Sequence, residues 1–168
     1  GIANADQVLA LMDGGAGLEP CVLEALAGTC QHVIFILDFW HAAQHLQEFA
    51  NLFVREEDAR KEQMQKWCET LKHQGGPALL KELEALDLSS STETVTQAHQ
   101  QLTNYLRNNL HRTDYPTYVR NGWPIGSGPV ESACRKWRCR FKGSGQFRTP
   151  EGMRRLGALN EARHNHHR

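Results

Sequence analysis

The sequence predicts an α/β chain that is predominantly helical, with one parallel βαβ unit near its start. Three observations lead there. Two short apolar runs, Val8 to Met12 and His32 to Leu37, flank a helical stretch with short connections. From Phe39 onward, apolar residues recur at three- and four-residue steps instead of alternating. Gly, Pro and Ser/Thr punctuation then divides the remainder into several helices.

Val8-Leu9-Ala10-Leu11-Met12 stops at Asp13-Gly14-Gly15, the pattern of a buried strand ending in a turn. Glu19-Pro20 opens a helix through Leu26-Ala27, and Gly28 is its stop. His32 to Leu37 is a β-branched and aromatic run ending at Asp38, a second buried strand. Strand, helix and strand with short links imply a parallel pair, so Asp13 and Asp38 fall at the same, C-terminal sheet edge. Two parallel strands do not make a stable sheet alone, so partner strands are expected from upstream residues or from another copy.

From Phe39 to about His73 one helical pattern runs through Trp40, Ala43, Leu46, Phe49, Ala50 and Phe53, broken at Gln74-Gly75-Gly76-Pro77. Pro77 begins the next helix, with Leu79, Leu80, Leu83 and Leu86. Thr92 and Thr94 supply an N-cap region for a helix from about Glu93 to Leu110. Tyr115 to Trp123 is expected to be a turn-rich connection, extended at Tyr118-Val119. Pro129 suits the first turn of a further helix, which carries Glu131 at its positive end. Gly143-Ser144-Gly145 breaks that helix, and Thr149-Pro150-Glu151 starts the last one. The expected division is residues 1–38 for the βαβ portion, 39–123 for a helical insertion and connection, and 124–168 for the Glu131 helix and a basic helical tail.

At 168 residues the chain is long enough for a domain with a real core. Hydrophobic content of 40% with 23% charged residues matches ordinary soluble globular proteins. No apolar run approaches a membrane span and no signal peptide opens the chain, so no membrane partner is expected. The first residue is Gly, which leads us to expect an internal fragment or a processed chain. Five cysteines, an odd number without a compact spacing scheme, suggest reduced thiols and a cytoplasmic location. Formal net charge is zero, yet from Glu131 to the end ten Lys/Arg residues face three acids, a local surplus of seven positive charges. Such an asymmetry points to a polyanionic partner, against the common alternative of a solvated helical face.

Asp13, Asp38 and Glu131 are the candidate carboxylate cluster, since hard divalent cations take oxygen ligands and phosphoryl-transfer sites hold metals between such acids. An Asp-Gly pair is by itself weak evidence, because turns use it freely. Glu131 at a helix start is equally compatible with a dipole-complementing side chain on an ordinary amphipathic helix. His41 and His45, at i and i+4, could serve a zinc or iron site, but no Glu lies between them as a metalloprotease motif requires. The alternative is that Asp38 caps the helix, with His41 serving the site indirectly. Cys134, Cys139, His164 and His166 match no common zinc spacing. Phosphate-binding loops, dinucleotide fingerprints and nucleophile elbows are absent from the sequence.

Three segments together resemble DDE-type bacterial insertion-sequence transposases of the Kra-type group, related to the Mutator-like superfamily. Met12-Asp13-Gly14-Gly15-Ala16-Gly17-Leu18 resembles the strand end and turn holding that family's second catalytic Asp. Ile36-Leu37-Asp38-Phe39-Trp40-His41-Ala42-Ala43-Gln44-His45-Leu46 is similar to its next strand and helix, with the Asp/Cys-x-x-His signature. Pro124 to Cys134, continuing through Arg140-Phe141-Lys142-Gly143-Ser144-Gly145, resembles the segment with the catalytic Glu. The resemblance implies part of a ribonuclease H-like fold with a large all-helical insertion between the second Asp and the Glu. It implies Asp13 and Glu131 as catalytic metal ligands for Mg²⁺ or Mn²⁺, and Asp38 and His41 as the signature pair. A different register would make Asp13 and Asp38 the two aspartates. DNA is the implied partner, met by Arg135, Lys136, Arg138, Arg140 and Lys142, with the protein acting as a homodimer or higher oligomer on transposon ends and target. The family's first Asp has no counterpart here, so the chain alone is expected not to cleave DNA. A non-catalytic DNA-binding or assembly module, a remnant of such an enzyme, is the alternative function.

Overall fold

Strand β1 (Val8–Met12), helix α1 (Leu18–Leu26) and strand β2 (Val33–Leu37) follow one another with short links, and the two strands pair in parallel. The structure, a computed structural model, describes residues 5–15, 17–30, 32–128, 149–152, 154, 155 and 158. The register runs from Val8 opposite Val33 to Met12 opposite Leu37. The Val8 N–H donates to the His32 carbonyl at 2.9 Å, and the Asp38 N–H to the Met12 carbonyl at 2.7 Å. Backbone polar groups alternate along a strand, so Val8, Ala10 and Met12 face β2 while Leu9 and Leu11 face the other edge. Among the described residues no third strand pairs there.

The far edge of β2 is closed by side chains instead of a strand. The Tyr115 hydroxyl donates to the Leu37 carbonyl at 2.9 Å and the Tyr118 hydroxyl to the Phe35 carbonyl at 3.4 Å. The Phe39 N–H donates to the Ile125 carbonyl at 2.8 Å, just beyond the strand. Buried carbonyls need such donors, because leaving one unmade costs about 1–3 kcal/mol.

Helices then dominate: α2 (Phe39–Phe53), α3 (Glu57–Gln74), α4 (Gly76–Glu84), α5 (Glu93–Asn109), a 3₁₀ turn (Leu110–Arg112) and α6 (Tyr115–Arg120). Two expectations need correction. The single helical pattern from Phe39 to His73 is two helices. Val54 turns extended at the end of α2, and the Glu56 carboxylate accepts the Ala59 N–H at 2.6 Å as the cap of α3. The stretch expected to be extended at Tyr118-Val119 is α6. Asp114 accepts the Thr117 N–H at 3.3 Å and Pro116 sits in the first turn, so capping outweighs the β-rich composition. Thr92 caps α5 as expected, accepting the Val95 N–H at 3.4 Å.

One hydrophobic core joins the sheet to these helices. Ile36 and Leu37 of β2 meet Phe39, Ala42, Leu46 and Phe49 of α2, which pack with Trp67 and Leu71 of α3, Leu79 and Leu83 of α4, and Leu102 and Leu106 of α5. Each large apolar side chain removed from water here contributes about 1.5–3 kcal/mol. Trp40, expected on the apolar face of α2, is instead 65% exposed, because the buried stripe runs one position earlier through Phe39 and Ala42. The molecule divides into two units, Gly1–Ser127 and Gly128–Arg168. In the second, Thr149 Oγ1 accepts the Gly152 N–H at 3.1 Å and residues 150–152 are helical, so the expected start signal there acts as a cap.

Candidate active site at the strand ends

Because β1 and β2 run in the same direction, Asp13 and Asp38 leave them at one edge, immediately beyond the Met12–Leu37 register pair. Their environments differ sharply. Asp13 is exposed, and its Oδ1 accepts only the Gly15 N–H of its own turn, at 2.9 Å. Its other carboxylate oxygen has no hydrogen bond among the described residues. The turn is built for glycine: Gly14 has φ +90°, and a Cβ there would lie 2.9 Å from Tyr105 Cε2 and 3.0 Å from Leu37 Cδ1. The Tyr105 hydroxyl donates to the Asp13 carbonyl at 3.1 Å, linking α5 to this turn.

Asp38 is buried and fully committed. Its Oδ1 accepts the Trp40 and His41 N–H groups at 2.8 and 3.2 Å, capping α2, and its Oδ2 accepts the Ser127 N–H at 2.7 Å. Burial pushes its pKa up, but the hydrogen bonds from Ser127, His41 and Trp40 outweigh burial and hold it below the ordinary value. Ser127 belongs to the Ile125-Gly126-Ser127-Gly128 stretch singled out in the sequence. The same stretch receives the Phe39 N–H on Ile125, and a Cβ on Gly126 would lie 2.6 Å from Trp40 Cδ1. Asp38 is therefore a clasp: one oxygen starts the helix and the other holds the 125–128 segment against it.

His41 and His45 project from the same face of α2, with ring centroids 5.1 Å apart, and His45 lies over Tyr105 at 4.2 Å. Burial depresses the His45 pKa, His41 adds to that, and Glu48 partly opposes it. Burial likewise raises the Tyr105 pKa to about 12, with Asp13 adding to the effect, so the hydroxyl is a neutral donor at any ordinary pH. Arg112 closes the back of the site. It is nearly buried, its Nε lies 2.9 Å from Glu19 Oε1, and one terminal nitrogen points at the Met12 sulfur at 3.6 Å. The Arg112–Glu19 contact is an ion pair without the direction of a hydrogen bond, since Arg112 Nε has no hydrogen-bond partner among the described residues. His111 Nε2 meets the same Glu19 oxygen at 2.8 Å, so one acid in the first turn of α1 ties the crossover helix to the turn after α5.

Thus the structure brings Asp13, Asp38 and His41 to one edge. Glu131 and the cations Arg135, Lys136, Arg138, Arg140 and Lys142 lie outside the described residues, as do Cys134, Cys139, His164 and His166. Tyr105, Ser127 and Arg112 went unread as site residues. The 92-residue separation of Tyr105 from Asp13 leaves no local signal. Among the described residues no three His, Cys, Asp or Glu side chains come together to hold a metal ion, and the rings of His41 and His45 meet Tyr105. Of the two aspartates at this edge, Asp13 keeps a carboxylate oxygen without a hydrogen bond among the described residues. The cleft lined by Asp6, Gln7, His32, Val33, Ile34 and Trp123 lies at the opposite end of the strands, with Asp6 as the one acid in its lining. Among the described residues no helix is long and apolar enough to cross a membrane. No protein-family model, curated protein or solved structure matches the chain.

Proposed function

We propose that the chain is the C-terminal part of the catalytic domain of a DDE-type DNA transposase, with a partial ribonuclease H-like core interrupted by a helical insertion. One observation supports this most. An exposed Asp13 and a buried Asp38 leave adjacent parallel strands at one edge, and Asp38 holds Ser127 of the motif that leads to Glu131. That arrangement gives two segments of the resemblance a job: one acid is offered to solvent, and one is a clasp on the segment that precedes Glu131 in the sequence.

In this reading Asp13 and Glu131 hold Mg²⁺ or Mn²⁺, and Glu131 rests there on the resemblance alone. The bound ions would supply the acidity that ionises an attacking water or 3′-hydroxyl and the positive charge that steadies the leaving oxygen. Asp38 and His41 act by placement, fixing the start of α2 and the 125–128 segment. Arg135, Lys136, Arg138, Arg140 and Lys142 contact phosphates, and the enzyme works in the cytoplasm as a homodimer or larger assembly on DNA. Strand transfer by the whole protein, assayed with Mg²⁺ and DNA ends, tests the reading. Asp13→Asn and Glu131→Gln are each expected to abolish it while leaving DNA binding in place. Undiminished transfer by either variant would overturn the assignment.

The surplus of positive charge after Glu131 also favours a second reading, a DNA-binding or assembly module without catalysis, since phosphate attraction needs no metal. Salt-sensitive DNA binding by the whole protein, with no Mg²⁺-dependent cleavage or joining, would decide for it.

A further inference from the structure

Tyr105 is the one described side chain whose hydrogen bond reaches from the helical part of the chain to the Asp13-Gly14-Gly15 turn. Its hydroxyl donates to the Asp13 carbonyl at 3.1 Å, and its ring edge fills the space that a Cβ on Gly14 would need, 2.9 Å away. The ring is held in turn. His45 lies against it, with ring centroids 4.2 Å apart. A turn carrying an exposed carboxylate has few restraints of its own, and among the described residues the Asp13 carboxylate accepts only the Gly15 N–H. Ring and hydroxyl together fix both the φ of Gly14 and the direction in which Asp13 leaves the strand.

We propose that Tyr105 is a positioning residue for metal capture by Asp13, acting through the backbone of the turn and touching neither metal nor DNA. The inference rests on the reading of Asp13 as a metal ligand. Groups that hydrogen-bond a ligand residue commonly set metal affinity by about 10–100-fold. Removing the hydroxyl while keeping the ring should therefore weaken binding without unfolding the chain.

The test uses Mn²⁺ alone, titrated into the ¹⁵N-labelled chain, with paramagnetic broadening of the Gly14 and Gly15 amide signals as the readout and the melting temperature followed in parallel. Broadening should saturate in the unaltered chain, vanish in Asp13→Asn, and require about tenfold more Mn²⁺ in Tyr105→Phe. Tyr105→Leu, which also loses the ring, should require still more. A Tyr105→Phe chain that melts lower but binds Mn²⁺ as tightly as the unaltered chain overturns the inference and leaves the Asp13 reading standing. Broadening that survives Asp13→Asn overturns both. A second measurement needs no variant: Mg²⁺ added to the unaltered chain should move the Tyr105 ring signals with the same midpoint as the Gly15 amide. Ring signals that stay still while Gly15 moves also overturn it.

Discussion

At the scale of single residues, two aspartates one strand apart show how the surroundings assign a role. Asp13 keeps an oxygen free because its turn supplies one N–H, whereas Asp38 is used up by three. Asp38→Ala should cost about 2–4 kcal/mol, from a lost helix cap plus the Ser127 N–H left without its charged acceptor, measured by urea unfolding. The pH dependence follows from the lowered pKa. The folded state holds the carboxylate ionised more strongly than the unfolded chain does, so this stabilisation is complete above the unfolded value of about 3.9 and disappears as pH falls through the lower folded value. Asp38→Asn should accordingly flatten the acid limb of the stability curve. Legibility differed between the two residues. That both aspartates end strands is visible from the apolar runs before them. That Asp38 would also bind Ser127, 89 residues later, is a tertiary contact with no local trace.

Elements were readable where their ends carry their own chemistry. β1, β2, α4 and α5 stand where apolar period, Pro and Thr caps put them, because those signals lie within a few residues of what they control. The split between α2 and α3 was missed because no Gly or Pro interrupts the chain between Phe53 and Met64, and only the Glu56 cap marks the restart. α6 was missed for the opposite reason: Tyr115, Tyr118 and Val119 favour strands, yet Asp114 and Pro116 start a helix. That helix has a task beyond its length, since it turns the Tyr115 hydroxyl onto the Leu37 carbonyl. Tyr115→Phe keeps the buried ring but strips the carbonyl of its donor, and should lower unfolding free energy by about 1–3 kcal/mol in the same urea experiment. An unchanged midpoint would mean that this edge of β2 is satisfied in some other way.

The whole molecule combines a neutral total with a cationic last quarter. If Arg135, Lys136, Arg138, Arg140 and Lys142 each neutralise a phosphate, replacing all five with Gln should reduce the slope of log affinity against log salt by up to about 4.5 for duplex DNA, read from titrations at several salt concentrations. An unaltered slope would place DNA contact elsewhere. Hydrogen exchange provides a separate check on the sheet. Amides of Ala10 and Met12, turned toward β2, should exchange far more slowly than those of Leu9 and Leu11, turned away. That last contrast has a practical side. Among the described residues the outer edge of β1 is a row of donors and acceptors that no strand pairs, and such an edge is an invitation to any extended peptide of matching length. Concentrated samples of the isolated chain should therefore drift toward sticky, strand-by-strand growth, and a proline placed at Leu9 or Leu11 should keep them clear.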